Sequence, residues 1–324
     1  MRQLYLRPEQ GIMLFRSISA MPSSLQIFIA IFAIGILLRA LAVLTTTHAE
    51  RLATFVFSVS LPATILVSLD RVPLASTAWK LPLAACLITL PIVVGSWQLA
   101  RLLQLPRQTQ GGFVLTTGSI NSVYFAFPVI LATFGEEGLT QAVLFDVGQT
   151  MLTLTVLYGL AVWHGTQSAA PRSTAIRILS SPPLWALVCI LFVKFSGHHL
   201  PLRLLELLQP LHVTTTPLAS FVLGLSISFS AVRRTARLAI LGVTVRMGGG
   251  LVLGLSAVWL LGLTGIERAV VILVAAMPSA VSSVIFAAET RLDEELVSSI
   301  VALSICLAVV MLPWLPRLAA MLLG

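Results

Sequence analysis

Two proline-interrupted stretches in this apolar chain carry side chains that can bind a small ion. They span residues 121–128 and 276–283, and their prolines, Pro128 and Pro278, are 150 residues apart. A proline within a helix removes a backbone donor, and in lipid the freed polar groups need a partner from protein or water. Broken helices at corresponding positions of two halves predict a substrate site near the bilayer midplane.

The first stretch offers an amide and a phenol. Asn121 lies two turns before Pro128, so its amide can donate to a carboxylate where the helix breaks, and exposed backbone amides there add positive potential. The alternative for Asn121 is a hydrogen bond that packs membrane helices together. Tyr124 is a candidate cavity residue, and simple aromatic packing against a neighbouring helix is its alternative.

The second stretch offers hydroxyl groups. Ser279, Ser282 and Ser283 follow or flank Pro278 and correspond to Asn121 in the other half. Each serine alone is typical of a small residue in helix packing. Together the two stretches predict a substrate site formed by Asn121, Tyr124, Pro128, Pro278, Ser279, Ser282 and Ser283.

Arg246 is the charged residue whose burial in a bilayer costs the most free energy. It follows Arg237 by nine residues, or about 14 Å along a helix, and a charge near the bilayer centre marks a functional site. Two roles remain open for it: Arg246 binds a substrate carboxylate, or it forms an ion pair with Asp146. Glycines 248–250 allow close backbone approach or local unwinding.

Other polar residues are candidates for ion coupling. Asp146 lies seven residues into its apolar segment and can carry a coupling proton in a water-filled cavity, which Gln149 would also line. His212 can titrate near neutral pH, although its place near a segment end is typical of an interfacial histidine. Histidine and cysteine clusters with metal spacing are lacking, so we expect no metal and no cofactor.

The composition predicts an integral membrane protein. The 324 residues are 57% hydrophobic and 10% charged, which is outside the range of soluble domains. The 20 Lys and Arg residues are scattered singly, which argues against nucleic-acid binding and favours a role in membrane topology. The sequence also lacks Walker loops and recognised catalytic spacings, so it favours neither an ATP-driven pump nor an enzyme.

Ten apolar segments of the length that a bilayer requires divide the chain. They span residues 25–44, 52–69, 81–103, 112–134, 139–163, 182–195, 204–229, 238–263, 269–288 and 296–318. Residues 1–24 form an amino-terminal tail, and residues 164–181 form a cytoplasmic linker. With the tail set aside, the Lys and Arg distribution predicts a multi-pass protein of the cell (inner) membrane with both termini outside.

The segments divide into two repeats of five, residues 25–163 and 182–324. Pro62 in segment 2 corresponds to Pro217 in segment 7, and Pro128 in segment 4 corresponds to Pro278 in segment 9. Because five is an odd number, the second repeat is inverted relative to the first. The predicted fold class is therefore all-α integral membrane, with ten transmembrane helices and broken crossover helices 4 and 9.

At these residues the chain resembles the auxin efflux carrier family, over residues 25–320. The resemblance rests on the order of several motifs, which are Leu61-Pro62-Ala63, Asn121 with Pro128 and Phe134-Gly135, Pro217-Leu218-Ala219 with Leu223-Gly224-Leu225-Ser226, Met277-Pro278-Ser279-Ala280, and Phe286-Ala287-Ala288-Glu289. Many relatives have Asn where this chain has Ser282. A hydroxyl has a shorter reach than an amide, so family ligand preferences do not carry over at that position.

The resemblance implies a fold similar to that of bile-acid symporters and sodium–proton antiporters. It implies a scaffold of segments 1, 2, 6 and 7, a mobile transport domain of segments 3–5 and 8–10, and a homodimer that forms through the scaffold. It also implies substrates such as auxin-like weak acids and small carboxylates.

The sequence as a whole favours a secondary carrier of a small organic anion, with elevator-type alternating access and a proton as an optional coupling ion. A sodium-coupled organic anion symporter is an alternative, although the crossover stretches offer mostly serines to a sodium ion. An intramembrane enzyme is a further alternative that no spacing favours. The substrate, the direction of transport and the coupling ion remain open.

Overall fold

A computed structural model describes residues 23–71, 79–166, 180–226, 232–314 and 321. Its first half contains the α-helices α1 (Ser23–Ala40), α2 (Thr46–Phe55), α3 (Leu61–Arg71), α4 (Lys80–Leu102), α5 (Arg107–Gly118), α6 (Phe127–Leu152) and α7 (Tyr158–His164). Most of the predicted tail and of the predicted linker lies outside the described residues.

The second half contains α8 (Pro182–Phe195), α9 (Leu202–Ser226), α10 (Val232–Val243), α11 (Gly250–Leu261), α12 (Gly265–Ala275), α13 (Ser282–Thr290) and α14 (Glu294–Met311), which a 3₁₀ turn (Leu312–Trp314) follows. The described residues form no strand, only one isolated β-bridge between Ile120 and Ser279. The all-helical prediction is therefore confirmed.

The described residues contain four π turns that lead directly into α-helices, and three of them also continue a preceding α-helix. The four are Val56–Ser60, Ser122–Ala126, Thr153–Leu157 and Thr244–Gly249. Two of them are followed by an α-helix whose second residue is a proline, Pro62 in α3 and Pro128 in α6. A π turn is wider than an α turn, so it accommodates the proline ring and the missing N–H without ending the helix.

Several helices are long and apolar enough to cross a membrane. Among the residues that the structure describes, six runs meet this requirement by length and composition, and they are Ser23–Ala40, Thr47–Asp70, Lys80–Leu102, Ser122–His164, Arg234–Leu261 and Glu294–Trp314. Large apolar side chains such as Trp185, Phe192 and Trp259 are exposed on the outside of the bundle. Such a surface suits lipid better than water, so the chain is a multi-pass membrane protein.

The run Ser122–His164 changes direction within α6. Gly135 has φ +67° and ψ −160° there, which is a conformation that glycine adopts without strain. Just beyond it, a Cβ on Gly138 would overlap the side chains of Phe134 and Ile130. The chain therefore turns sharply at Gly135, between predicted segments 4 and 5.

The helices pack in two groups. In one group α9 packs against α1, α2 and α3, and α8 packs against α3. In the other, α4 packs against α5, α6 and α11, α14 packs against α10, and α12 packs against α6 and α11. The groups meet where α6 and its preceding π turn lie against α1, α3 and α9, with an edge-to-face contact between Phe28 and Phe125.

His212 has a partner that the sequence did not indicate. It lies in α9 with a side chain that is 2% exposed. Nε2 of His212 lies 3.2 Å from the carboxylate of Glu136.

Candidate functional site

The candidate site is built around two helices that stop and start again. Helix α5 ends at Gly118 and the next turn begins at Ser122, while α12 ends at Ala275 and α13 begins at Ser282. The two connecting stretches, residues 119–121 and 276–281, run antiparallel and bond to each other. We call this place the crossing. The N–H of Asn121 donates to the carbonyl of Pro278 at 2.9 Å, and the N–H of Ala280 donates to the carbonyl of Ser119 at 3.1 Å.

The interruption in the first half is not at the predicted residue. Helix continues through Pro128, and the break lies seven to nine residues earlier, at Ser119 to Asn121. Pro278 does lie in its break, where a proline cannot donate to a helix and restricts the preceding residue to extended conformations. The π turn before Pro128 explains the difference, because it absorbs the proline that would otherwise break the helix.

Arg246 lies at the ends of both interrupted helices. Its side chain is fully buried, with Nη1 donating to the carbonyl of Thr117 at 3.1 Å and Nη2 donating to the carbonyl of Ala275 at 2.7 Å. Thr117 lies in the last turn of α5, and Ala275 is the last residue of α12. The carboxyl end of a helix carries partial negative charge, so one guanidinium compensates two helix ends.

The partners of Arg246 are backbone carbonyls and not the predicted acidic side chain. The described residues contain no ion pair between Arg246 and Asp146, whose carboxylate instead accepts a hydrogen bond from Thr150 at 3.1 Å. Arg246 also does not line the main cavity. Backbone carbonyls take the place of the expected carboxylate partner because the helix ends supply negative charge without any acidic side chain.

A cavity of about 490 Å³ lies beside the crossing, at the amino ends of the two helices that begin again at Ser122 and Ser282. Its polar lining includes Asn121, Ser122, Tyr124, Asp146, Gln149, Ser282 and Glu289. Such a volume falls within the range of small-molecule sites. The first N–H groups of a helix lack acceptors within the helix, so both amino ends present positive potential to the cavity.

Asn121 is fixed by the other half of the crossing. The residue is 1% exposed, and its amide nitrogen donates to the carbonyl of Ser279 at 3.4 Å. Since that carbonyl can only accept, the contact orients the amide. The side-chain oxygen has no hydrogen-bond partner within the described structure, and the nitrogen keeps a second hydrogen. Asn121 also lines the cavity, which places this unsatisfied amide beside the space for a ligand.

Gln149 forms hydrogen bonds that support the crossing. Its amide nitrogen donates to the carbonyl of Gly118 at 3.2 Å and to the hydroxyl of Thr153 at 3.3 Å, and its oxygen accepts from the hydroxyl of Thr89 at 2.6 Å. All of these contacts are within the second helix group. Gln149 therefore lines the cavity and also holds the end of α5.

Asp146 borders two spaces. It lines the main cavity, and it also lines a small cavity of about 20 Å³ together with Leu61, Pro183 and Leu187. A space of that size holds about one water molecule. Leu61 belongs to α3, and Pro183 and Leu187 belong to α8, all in the first helix group. Asp146 therefore lies at the boundary between the two groups.

The remaining predicted residues divide between the cavity and the protein interior. Ser282 lines the cavity, and so does Tyr124, whose hydroxyl donates to the carbonyl of Ala53 at 3.2 Å. Ser279 and Ser283 are fully buried and do not line it. The N–H of Ser279 donates to the hydroxyl of Ser304 at 3.1 Å, which anchors the break to α14.

Comparison with known proteins identifies the class of protein that carries this site. Residues 19–316 match the family described as "Membrane transport protein". The chain belongs to that family. Its membership confirms the resemblance to auxin efflux carriers that the sequence motifs indicated, and it makes the chain a membrane transporter.

Two relatives of this family member are transporters from methanogenic archaea. An uncharacterized transporter of Methanothermobacter thermautotrophicus is 30% identical over 286 residues, which are 86% of this chain and 92% of the relative. An uncharacterized transporter of Methanocaldococcus jannaschii is 25% identical over 280 residues, which are 84% of this chain and 90% of the relative. The family and these relatives are described as transporters and not as enzymes.

Glu289 is an ionisable cavity residue that the sequence analysis of this transporter missed as a site residue. It was noted only within the motif that begins at Phe286. Ser282 and Glu289 are seven residues apart, or about two helical turns, so they share one face of α13 with Phe286 and Ile285. All four line the cavity. Helical spacing from Ser282 could have found Glu289.

Proposed function

We propose that this protein is a secondary carrier of a small organic anion, such as an auxin-like weak acid or a small carboxylate. The observation that carries the proposal is the crossing, because both restarted helices begin at the wall of one 490 Å³ cavity. The positive potential of the two helix starts would attract a substrate carboxylate, which would accept hydrogen bonds from the side chains of Asn121 and Ser282. Each helix end favours an anion by up to about 1 to 2 kcal/mol where it is partly buried.

A proton is the coupling ion that the cavity suits. Asp146 borders the substrate cavity on one side and a water-sized space on the other. A carboxyl group in that position can exchange its proton with water and can lie beside the anion only when it is protonated, since like charges repel. The proposed carrier therefore moves its anion together with a proton.

The two helix groups support an elevator mechanism. In the proposed arrangement α1, α2, α3, α8 and α9 form the scaffold, and the other helices form the transport domain of a ten-helix inverted repeat. The contact between the groups involves mainly α6 and the π turn before it. A limited boundary of this kind suits a domain that slides. A homodimer through the scaffold, with both termini outside the cell membrane, completes the proposal.

Arg246 argues against the sodium-coupled alternative. A sodium ion at the crossing would seek the same helix-end carbonyls that the guanidinium already occupies. We therefore expect uptake to proceed equally well when potassium replaces sodium on both sides of the membrane.

A cationic substrate is the second candidate. The ionisable acidic side chains that line the cavity are Asp146 and Glu289, and the lining residues that the structure describes include no Lys, Arg or His. If both carboxylates are charged, they attract an amine and oppose the attraction of the helix ends for an anion. The substrate test must therefore include amines.

The first experiment identifies the ligand class. Purified protein is screened by thermal unfolding against monocarboxylates, dicarboxylates, aromatic acids and amines, because a ligand that binds the folded state stabilises it. Stabilisation by carboxylates supports the proposal. Stabilisation by amines alone would replace it with the cationic candidate.

The second experiment tests coupling with the acid found in the screen. A pH gradient is imposed across the membrane of proteoliposomes. Uptake is then measured for the parent, for Asp146→Asn and for the control Glu50→Gln, which replaces an exposed residue. Asp146→Asn should lose accumulation driven by the gradient, whereas Glu50→Gln should match the parent. Equal accumulation by all three proteins would remove the proton from the mechanism.

A further inference from the structure

The crossing brings together two helix ends whose partial negative charges are costly inside a bilayer. Helices α5 and α12 both end inside the protein, and the carbonyls at a helix end have no partner within the helix. Their partial negative charges lie at the same place, because the two connecting stretches bond directly to each other. Unpaired carbonyls remote from water are strongly destabilising.

Arg246 is the only charged side chain that the described structure places in contact with both helix ends. Its two terminal nitrogens donate to Thr117 and Ala275, one on each helix. The side chain is fully buried, so no solvent screens its charge. A planar guanidinium carries donors in a fixed fork that can reach two acceptors at once.

The surrounding backbone is shaped for this side chain. Arg246 lies in the π turn Thr244–Gly249, and Gly250 follows it. A Cβ on Gly250 would overlap both the carbonyl of Ala275 and the Nη2 atom of Arg246. At Gly249, by contrast, an added Cβ would meet nothing within 4 Å. The missing side chain of Gly250 therefore leaves the space that the guanidinium of Arg246 occupies.

We infer that Arg246 is a positioning residue whose guanidinium serves as the resident cation of the crossing. It compensates the carboxyl ends of α5 and α12, and it thereby holds the opposite, amino ends of the restarted helices toward the cavity. The carrier needs no metal cation at this place. Removing the guanidinium should leave a buried site that accepts a small planar cation from solution.

The test is chemical rescue of stability, which needs no substrate and so stands apart from the proposed function. Thermal unfolding of purified Arg246→Ala is measured with methylguanidinium and with ethylammonium at the same concentration. We expect methylguanidinium to raise the melting temperature of Arg246→Ala more than ethylammonium does, and to leave the parent unchanged or slightly less stable.

Phe113→Ala is the matched control, since Phe113 is a large, fully buried side chain of α5. Its loss opens a void without removing a charge. Methylguanidinium should therefore not stabilise Phe113→Ala. An equal shift in Phe113→Ala and Arg246→Ala would overturn the inference, because the rescue would then reflect general filling of a void.

A second comparison applies if Arg246→Ala does not accumulate. Arg246→Lys and Arg246→Met have unbranched side chains of similar length, and only the first keeps a positive charge. The inference requires more folded protein, with a higher melting temperature, from Arg246→Lys than from Arg246→Met. Equal yields of the two variants, whether high or low, would show that charge at this position is not what holds the crossing.

Discussion

His212 in α9 and Glu136 in the turn after Gly135 connect the two helix groups, with His212 Nε2 3.2 Å from the Glu136 carboxylate. The histidine is buried and the carboxylate is half exposed. This contact joins the proposed scaffold to the proposed transport domain at the point where the chain turns back. A sliding domain would have to break it during each transport cycle.

Replacing Glu136 by glutamine should therefore loosen this boundary. Glu136→Gln keeps the shape and removes the charge, so the stability should fall by about 1 kcal/mol, given the exposure of the carboxylate. Glu137→Gln, which changes the exposed neighbouring carboxylate, is the control. Thermal unfolding of both purified variants is the measurement, and equal melting temperatures would show that the contact contributes nothing.

Asn121 should contribute directly to ligand affinity. A hydrogen bond to a charged group is worth about 1.5 to 3 kcal/mol, so Asn121→Ala should raise the dissociation constant of the cognate acid roughly 10-fold to 150-fold. Ser283→Ala changes a buried residue of the same crossing that does not line the cavity, and it should bind nearly as tightly as the parent. Calorimetry with one ligand compares the three proteins. Parent-like affinity in Asn121→Ala would move the site elsewhere.

Gly250 and Gly249 offer a paired test of the space around the guanidinium. Gly250→Ala places a methyl group against Ala275 and Arg246, and overpacking of this kind costs about 1 to 3 kcal/mol. Gly249→Ala enters open space at helical dihedral angles, so it should leave the stability unchanged or raise it by up to about 1 kcal/mol. Both are measured by thermal unfolding, and similar losses in the two variants would contradict this geometry.

The crossing itself can be trapped. Ile120 and Ser279 form an antiparallel pair flanked by the two hydrogen bonds, so their Cα atoms should be about 4.5 Å apart, close enough for a disulfide. Ile120→Cys with Ser279→Cys should cross-link under mild oxidation, in a background where Cys86, Cys189 and Cys306 are alanine. Mass spectrometry of the linked peptides detects the bond, and each single cysteine variant is the control. Failure of the double variant to cross-link would refute the pairing.

Sequence patterns predicted where polar residues must converge but not how they bond. The prolines and the surrounding polar residues marked both breaks, because in lipid such residues need internal partners. Asn121, Asp146, Gln149 and Ser282 accordingly meet at one cavity. The exact break before Pro128 was missed, since a π turn has no distinctive residue pattern.

The partners of Arg246 were also beyond sequence reasoning. We looked for an acidic side chain, since carboxylates are visible in a sequence, but helix-end carbonyls belong to every residue type. The burial of His212 likewise follows from the packing of α9 against its neighbours, which a sequence pattern does not show.

The four π turns give these helices a tolerance for changes in length. In an ordinary α-helix, deleting one residue rotates everything beyond it by about 100° and turns the packed face away from its neighbours. A π turn holds one residue more than an α turn. A single deletion within Val56–Ser60 or Thr244–Gly249 can therefore convert the turn to α-helix while the flanking faces keep their orientation, and gaps between relatives should collect at these places.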